Sequence, residues 1–164
     1  MDRLLRWLEA PIHFFMWVAL LGGVLMMAHI SLDVAGRALW RPVTGTPEIV
    51  SGYYMIAVAY LPWAMIARND GHITVELFTR ALPDKVMVWL DIVVNIVTAA
   101  YVTIFTWQTW HTALKQMANQ ESLQIGGTYM IVWPSRFVLP LAGALMGLYL
   151  LVRVMRDIRN EING

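Results

Sequence analysis

Four stretches of this chain, residues 10–32, 49–67, 92–114 and 129–152, contain no Asp, Glu, Lys or Arg apart from Arg136 near the start of the last. A hydrocarbon core about 30 Å thick needs about 20 predominantly apolar residues per helical crossing, and each stretch supplies them. Backbone N–H and C=O groups find no water in lipid, so a crossing segment is either a helix or part of a closed barrel. Runs of this length without short two-residue alternation select the helix. The chain therefore reads as an all-α integral membrane protein with four spans.

With 164 residues, four such spans leave two short ends and three loops, too little for a separate soluble domain, so residues 1–164 form a single membrane domain. A formal net charge of +1 with scattered basic residues gives no stripe to neutralise a run of phosphates, which excludes nucleic acid as a partner. Cysteine is absent, which removes disulfides, thiolate nucleophiles and thiolate metal sites together. The first span follows Arg3 and Arg6 as a signal peptide would, but no small-x-small cleavage site precedes Asp33, so it reads as a retained anchor. The sequence predicts both ends in the cytoplasm. That orientation places Arg3, Arg6, Arg68, Arg80, Lys85, Arg153, Arg156 and Arg159 inside and Arg37, Arg41, Lys115 and Arg136 outside, eight basic residues against four.

Between the spans, residues 1–9 carry Leu4, Leu5 and Leu8 on one face and read as a short interfacial helix. Asp33, Gly36, Arg37 and Arg41 fall in the first outer loop, where Thr46 is expected to cap the second span with Pro47 first in the helix and Glu48 facing its positive dipole end. In the inner loop, Val75, Phe78 and Leu82 share a face, which predicts an amphipathic helix over about 74–82 lying on the membrane surface. The loop after the third span is polar, rich in Gln and broken by Gly126 and Gly127, a candidate contact for an external partner. Asn95, Thr98, Thr106 and Thr109 form a stripe expected to hydrogen-bond to a neighbouring helix, and Gly143 with Gly147 marks a face for close helix packing.

Every carboxylate lies at or beyond a span end, whereas coupled transport of an ion or polar solute generally needs an intramembrane acid or unwound helices lining the site. The chain alone is poorly equipped to move a solute. The four histidines, His13, His29, His72 and His111, sit near interfaces, where a polar ring is at ease, but a bundle can also hold haem between paired imidazoles. A haem b-carrying anchor of a redox enzyme is thus the alternative, and a self-associating small membrane protein built on Gly143 and Gly147 is a third reading. No metal-ligand spacing, phosphate cradle or serine with an evident base is present, so no catalytic residue is assigned and the chain is not expected to be an enzyme.

The segment Asp33-Val34-Ala35-Gly36-Arg37, followed by Pro42, Gly45-Thr46 and Glu48-Ile49, and then Gly71-His72-Ile73-Thr74-Val75-Glu76-Leu77, resembles the small Q-type (DctQ-like) membrane subunit of tripartite ATP-independent periplasmic (TRAP) transporters. Leu61-Pro62, Leu82-Pro83 and Trp133-Pro134 extend the resemblance over nearly the whole chain. It implies a multi-pass protein of the inner membrane, in contact with membrane lipid. It also implies a heterodimer with a large M-type subunit that carries the substrate and sodium sites, and a periplasmic substrate-binding protein that delivers an organic acid. The small subunit would then be a scaffold with no cofactor of its own. Asp33, Gly36, Arg37, Arg41, Glu48, Gly71, His72, Glu76 and Trp133 are the family-motif or docking positions that the resemblance implies. For Arg37, docking stands beside two plainer roles, reaching to headgroups or pairing with Asp33 or Glu48.

Overall fold

The computed structural model describes residues 2–69, 84–125 and 127–163. Helix α1 runs Asp2–Leu39, and its 38 residues make it about 57 Å long, well beyond the hydrocarbon thickness. The segment expected to form a short interfacial helix leading into the first span is continuous with that span, through Pro11. At its other end the helix takes in Asp33, Gly36 and Arg37, which the sequence had assigned to a loop. An acid four residues before a base is the favoured order for a helix-stabilising pair, which opposes the cost of the glycine between them.

The second span, Thr46–Arg68, is assembled from pieces. Helix α2 (Thr46–Ile49) passes into a π-helical turn (Val50–Tyr54), then α3 (Met55–Tyr60), and after a break at Leu61 and Pro62 comes α4 (Trp63–Arg68). Pro62 has no N–H to donate, which accounts for the break. Gly45, at φ 88°, takes the N-cap position, so the expected cap at Thr46 is corrected: its hydroxyl donates back to Val43 O at 3.1 Å, and Pro47 falls second in the helix. Helix α5, Asp84–Ala118, carries the third span.

Residues 129–132, expected to open the fourth span, do not. Strand β1 (Ser122–Ile125) pairs antiparallel with β2 (Thr128–Ile131), Ile125 opposite Thr128, with Gly127 at φ 95° in the turn. Glycine accepts that backbone conformation without steric cost, and Thr, Tyr and Ile suit a strand. Val132 N–H extends the ladder by donating to Glu121 O at 3.0 Å. The fourth span begins with a 3-10 turn (Trp133–Phe137) and continues as α6 (Val138–Asn163). Among the described residues the architecture is four spans and a hairpin. The expected surface helix at 74–82 lies outside the described residues.

The fourth span is the hub. In its most apolar stretch 44% of residues are buried, against 6% in the first span, which leaves Phe14, Trp17, Leu21 and Val24 exposed. Ile12, Ala64, Ala67, Ala99, Val102, Met146 and Leu150 bring all four spans into one core cluster. Small residues set the spacing between α5 and α6. A Cβ on Gly143 would stand 2.4 Å from Thr106 Oγ1, and one on Gly147 would lie 3.6 Å from Val102 Cγ1. Two hydroxyls of the third-span stripe stay on their own helix, Thr98 donating to Val94 O at 2.8 Å and Thr109 to Phe105 O at 2.9 Å, while Thr106 Oγ1 is buried against Gly143 with no hydrogen-bond partner among the described residues. That corrects the expected interhelical bonds, since the carbonyl four residues back is always within reach of a helical threonine.

Gly143→Ala should therefore lower the melting stability of the detergent-solubilised protein by about 1–3 kcal/mol, the usual range for overpacking. Adding Thr106→Ala should recover most of the loss, and a double-mutant cycle showing simple additivity would argue that the two do not touch. A pH effect follows from the hairpin. Arg136 donates to both Glu121 oxygens, at 2.9 and 2.7 Å, and this hydrogen bonding holds the carboxyl below its usual range. A depressed folded pKa gives stability that is complete above the unfolded value and is lost as pH falls through the folded one. Acidification below about pH 4 should loosen the base of the hairpin, read as faster exchange of the Val132 amide, while Glu121→Gln shows no such step.

Candidate functional site

Asp33, Thr46 and Ser135 are the buried polar or charged residues among those described, and all three lie at the end of the bundle where α1 stops and the hairpin stands. Asp33 is 5% exposed, yet its carboxylate is fully engaged. Arg37 Nε and Nη2 donate to Oδ2 at 3.0 and 2.8 Å, and Val43 N–H donates to Oδ1 at 2.8 Å. An isolated buried carboxylate is costly, whereas one holding a guanidinium and a backbone N–H is satisfied.

Gly36 has a geometric role. The chain leaving α1 doubles back so tightly that a Cβ at Gly36 would come within 2.5 Å of Arg41 O, while Trp40 N–H closes the helix on Gly36 O at 2.9 Å. The pairing left open for Arg37 is thus with Asp33, and its side chain remains 57% exposed. Arg41 is exposed and has no side-chain partner among the described residues. Glu48 sits half-buried in the first turn of α2. Trp133 opens the 3-10 turn and stands edge-on to Phe137, which meets Trp110 in the same manner. Gly71, His72 and Glu76 lie outside the described residues.

The structure adds residues that sequence reasoning missed. Gly45 leaves room for Ile125 of β1, whose Cγ2 would lie 2.6 Å from a Cβ there. The Tyr53 hydroxyl donates to Ile131 O of β2. A Cβ on Gly52, within the π-helical turn, would stand 3.3 Å from Val132 Cγ1. Between them lies a small polar recess of about 140 Å³ lined by Ser51, Glu121, Ser135 and Arg136. The sequence signals for this arrangement were the glycines at 126 and 127 and Gly45 of the quoted motif, since the contacts join positions far apart in the chain.

At the opposite end Arg68 ties the first two spans, reaching Glu9 at 3.3 Å and His13 Nε2 at 2.9 Å. His29 stands edge-on to Tyr54 and His111 to Trp107. Among the described residues no group of three or more His, Cys, Asp or Glu is placed to hold a metal ion. Gly143 and Gly147 face α5 from the middle of α6. The chemistry on offer is anchoring and presentation: one buried carboxylate, a half-exposed and an exposed guanidinium, and a rim of exposed Leu39, Trp40, Tyr129 and Ile131.

No curated protein matches the chain. Residues 26–160 match the family described as the DctQ component of tripartite ATP-independent periplasmic transporters. That match takes in the Asp33 and Gly36 clasp, the hairpin and the second, third and fourth spans. The four apolar helices agree with a multi-pass membrane component and the family is one of transporter parts, not enzymes. The chain belongs to the DctQ component family of the TRAP transporters.

Proposed function

We propose that this chain is the scaffold subunit of a sodium-coupled secondary transporter of the inner membrane, paired with a large M-type subunit that carries the transport sites. The solute is an organic acid handed over by a periplasmic binding protein. In this reading the hairpin end faces the periplasm and both termini the cytoplasm, in keeping with the excess of basic residues flanking the spans on the terminal side. One observation carries the proposal. The core cluster where the four spans meet is apolar, the described residues that are both polar and buried stand at one end, and a chain so built holds a partner in place without itself offering a solute path.

Affinity purification of the tagged chain from its native membrane in mild detergent is the direct test. A many-span membrane protein in equal amount supports the reading. Recovery with redox subunits and a Soret band, or alone as a homo-oligomer, overturns it. Sodium-driven uptake of an organic acid by liposomes containing this chain alone would do the same.

Docking should be sensitive to the exposed cation. Arg41→Glu is expected to reduce uptake by the assembled system about tenfold while leaving copurification of the large subunit unchanged, because a surface charge at a docking rim acts chiefly on association. Equal loss of assembly and uptake would assign Arg41 to folding instead.

A further inference from the structure

Asp33 is the buried charged residue of the hairpin end, and its two carboxylate oxygens have separate duties. Oδ2 takes both bonds from Arg37, and Oδ1 takes the N–H of Val43, ten residues on. The carbonyl of Val43 accepts from the Thr46 hydroxyl at 3.1 Å, so both backbone polar groups of this one loop residue are pinned, one to the end of the first span and one to the start of the second. Two residues later Gly45, left-handed at φ 88°, lies against the Ile125 side chain of β1 so closely that a Cβ there would fall 2.6 Å from Cγ2. The hairpin's other strand is held by Tyr53 through Ile131 O. We propose that Asp33 is a positioning residue: through Val43 and Gly45 it fixes the loop after α1 against the hairpin, so that Arg41, Trp40 and the exposed face of β2 are presented as one unit.

The ion pair and the positioning are separable. Arg37 compensates the buried charge, while the directional bond that places the loop is the one from Val43 N–H. A neutral acceptor at position 33 therefore preserves the loop, and a restored ion pair without an acceptor does not. The consequence for transport rests on the reading that this end meets the delivery protein; the positioning itself does not.

The chain contains no cysteine, so spin labels on Arg41→Cys and Tyr129→Cys report this one distance in the full-length protein. Asp33→Ala should broaden the distance distribution and raise the population outside the native peak about tenfold or more, the ratio expected from losing a hydrogen bond to a charged group. Asp33→Asn should keep the native peak. The swap Asp33→Arg with Arg37→Asp rebuilds the charge pair but turns donors toward Val43 N–H, so it should broaden the distribution as alanine does. A narrow native peak in the swap or in the alanine variant overturns the proposal. Should the alanine variant fail to fold, the contrast between the asparagine variant and the swap decides alone. Uptake by the assembled system, measured on the same substitutions without labels, separates the two readings. A broadened distance with unchanged uptake retains Asp33 as the positioning residue and sinks the docking role of this face.

Discussion

Lipid offers no hydrogen bonds, and everything else in this protein is arranged around that constraint. Four segments satisfy their own backbones as helices, and Thr98 and Thr109 of the third span turn their hydroxyls onto carbonyls of the same helix. Departures from regular helix carry their own explanation. The break at Pro62 is closed by Leu61 N–H on Ala57 O and Ile66 N–H on Pro62 O. The reversal after α1 is held by a side-chain carboxylate, and the hairpin pairs its own two strands.

With no hydrophobic drive between helices inside a bilayer, contact must come from close fit. The fourth span achieves this with glycines at 143 and 147 against α5 and with Leu150 and Met146 in the shared core. The first span has little of this and presents large side chains outward. The bundle is therefore asymmetric: a packed centre at α6 and a broad lipid-facing or partner-facing helix at α1. Such asymmetry suits a component that completes a larger assembly, as membership of the TRAP small-component family requires.

The two ends of the bundle differ in kind. At the terminal end Arg68 bridges to Glu9 and His13 on the first span, partners that remain open to the surface, and Arg153 reaches from the fourth span to Ala67 O of the second. At the hairpin end the connections are directional, running from the buried Asp33 to Val43, from the buried Thr46 to Val43, and from Tyr53 to β2. Exposed ion pairs contribute little to stability, whereas a buried carboxylate with satisfied donors specifies one geometry. The hairpin end is where the fold invests its specificity.

How much of this was legible from residues alone depends on the range of the interaction. The spans were legible because hydropathy over about 20 residues is a local property, and the family resemblance was legible because its motifs keep their order along the chain. Asp33, Gly36 and Arg37 were visible as a motif but were assigned to a loop, since the i, i+4 pair that continues the helix competes with glycine there and only the whole packing settles which prevails. The hairpin was hidden because Tyr129, Met130 and Ile131 read equally as the start of an apolar span. The sequence by itself determined the four crossings, the helical class and the family. The tertiary structure alone decided that Val43 reaches Asp33, that Gly45 makes room for Ile125 and that Gly143 meets Thr106. Those contacts join residues distant in the chain, and their geometry exists only once the helices have packed.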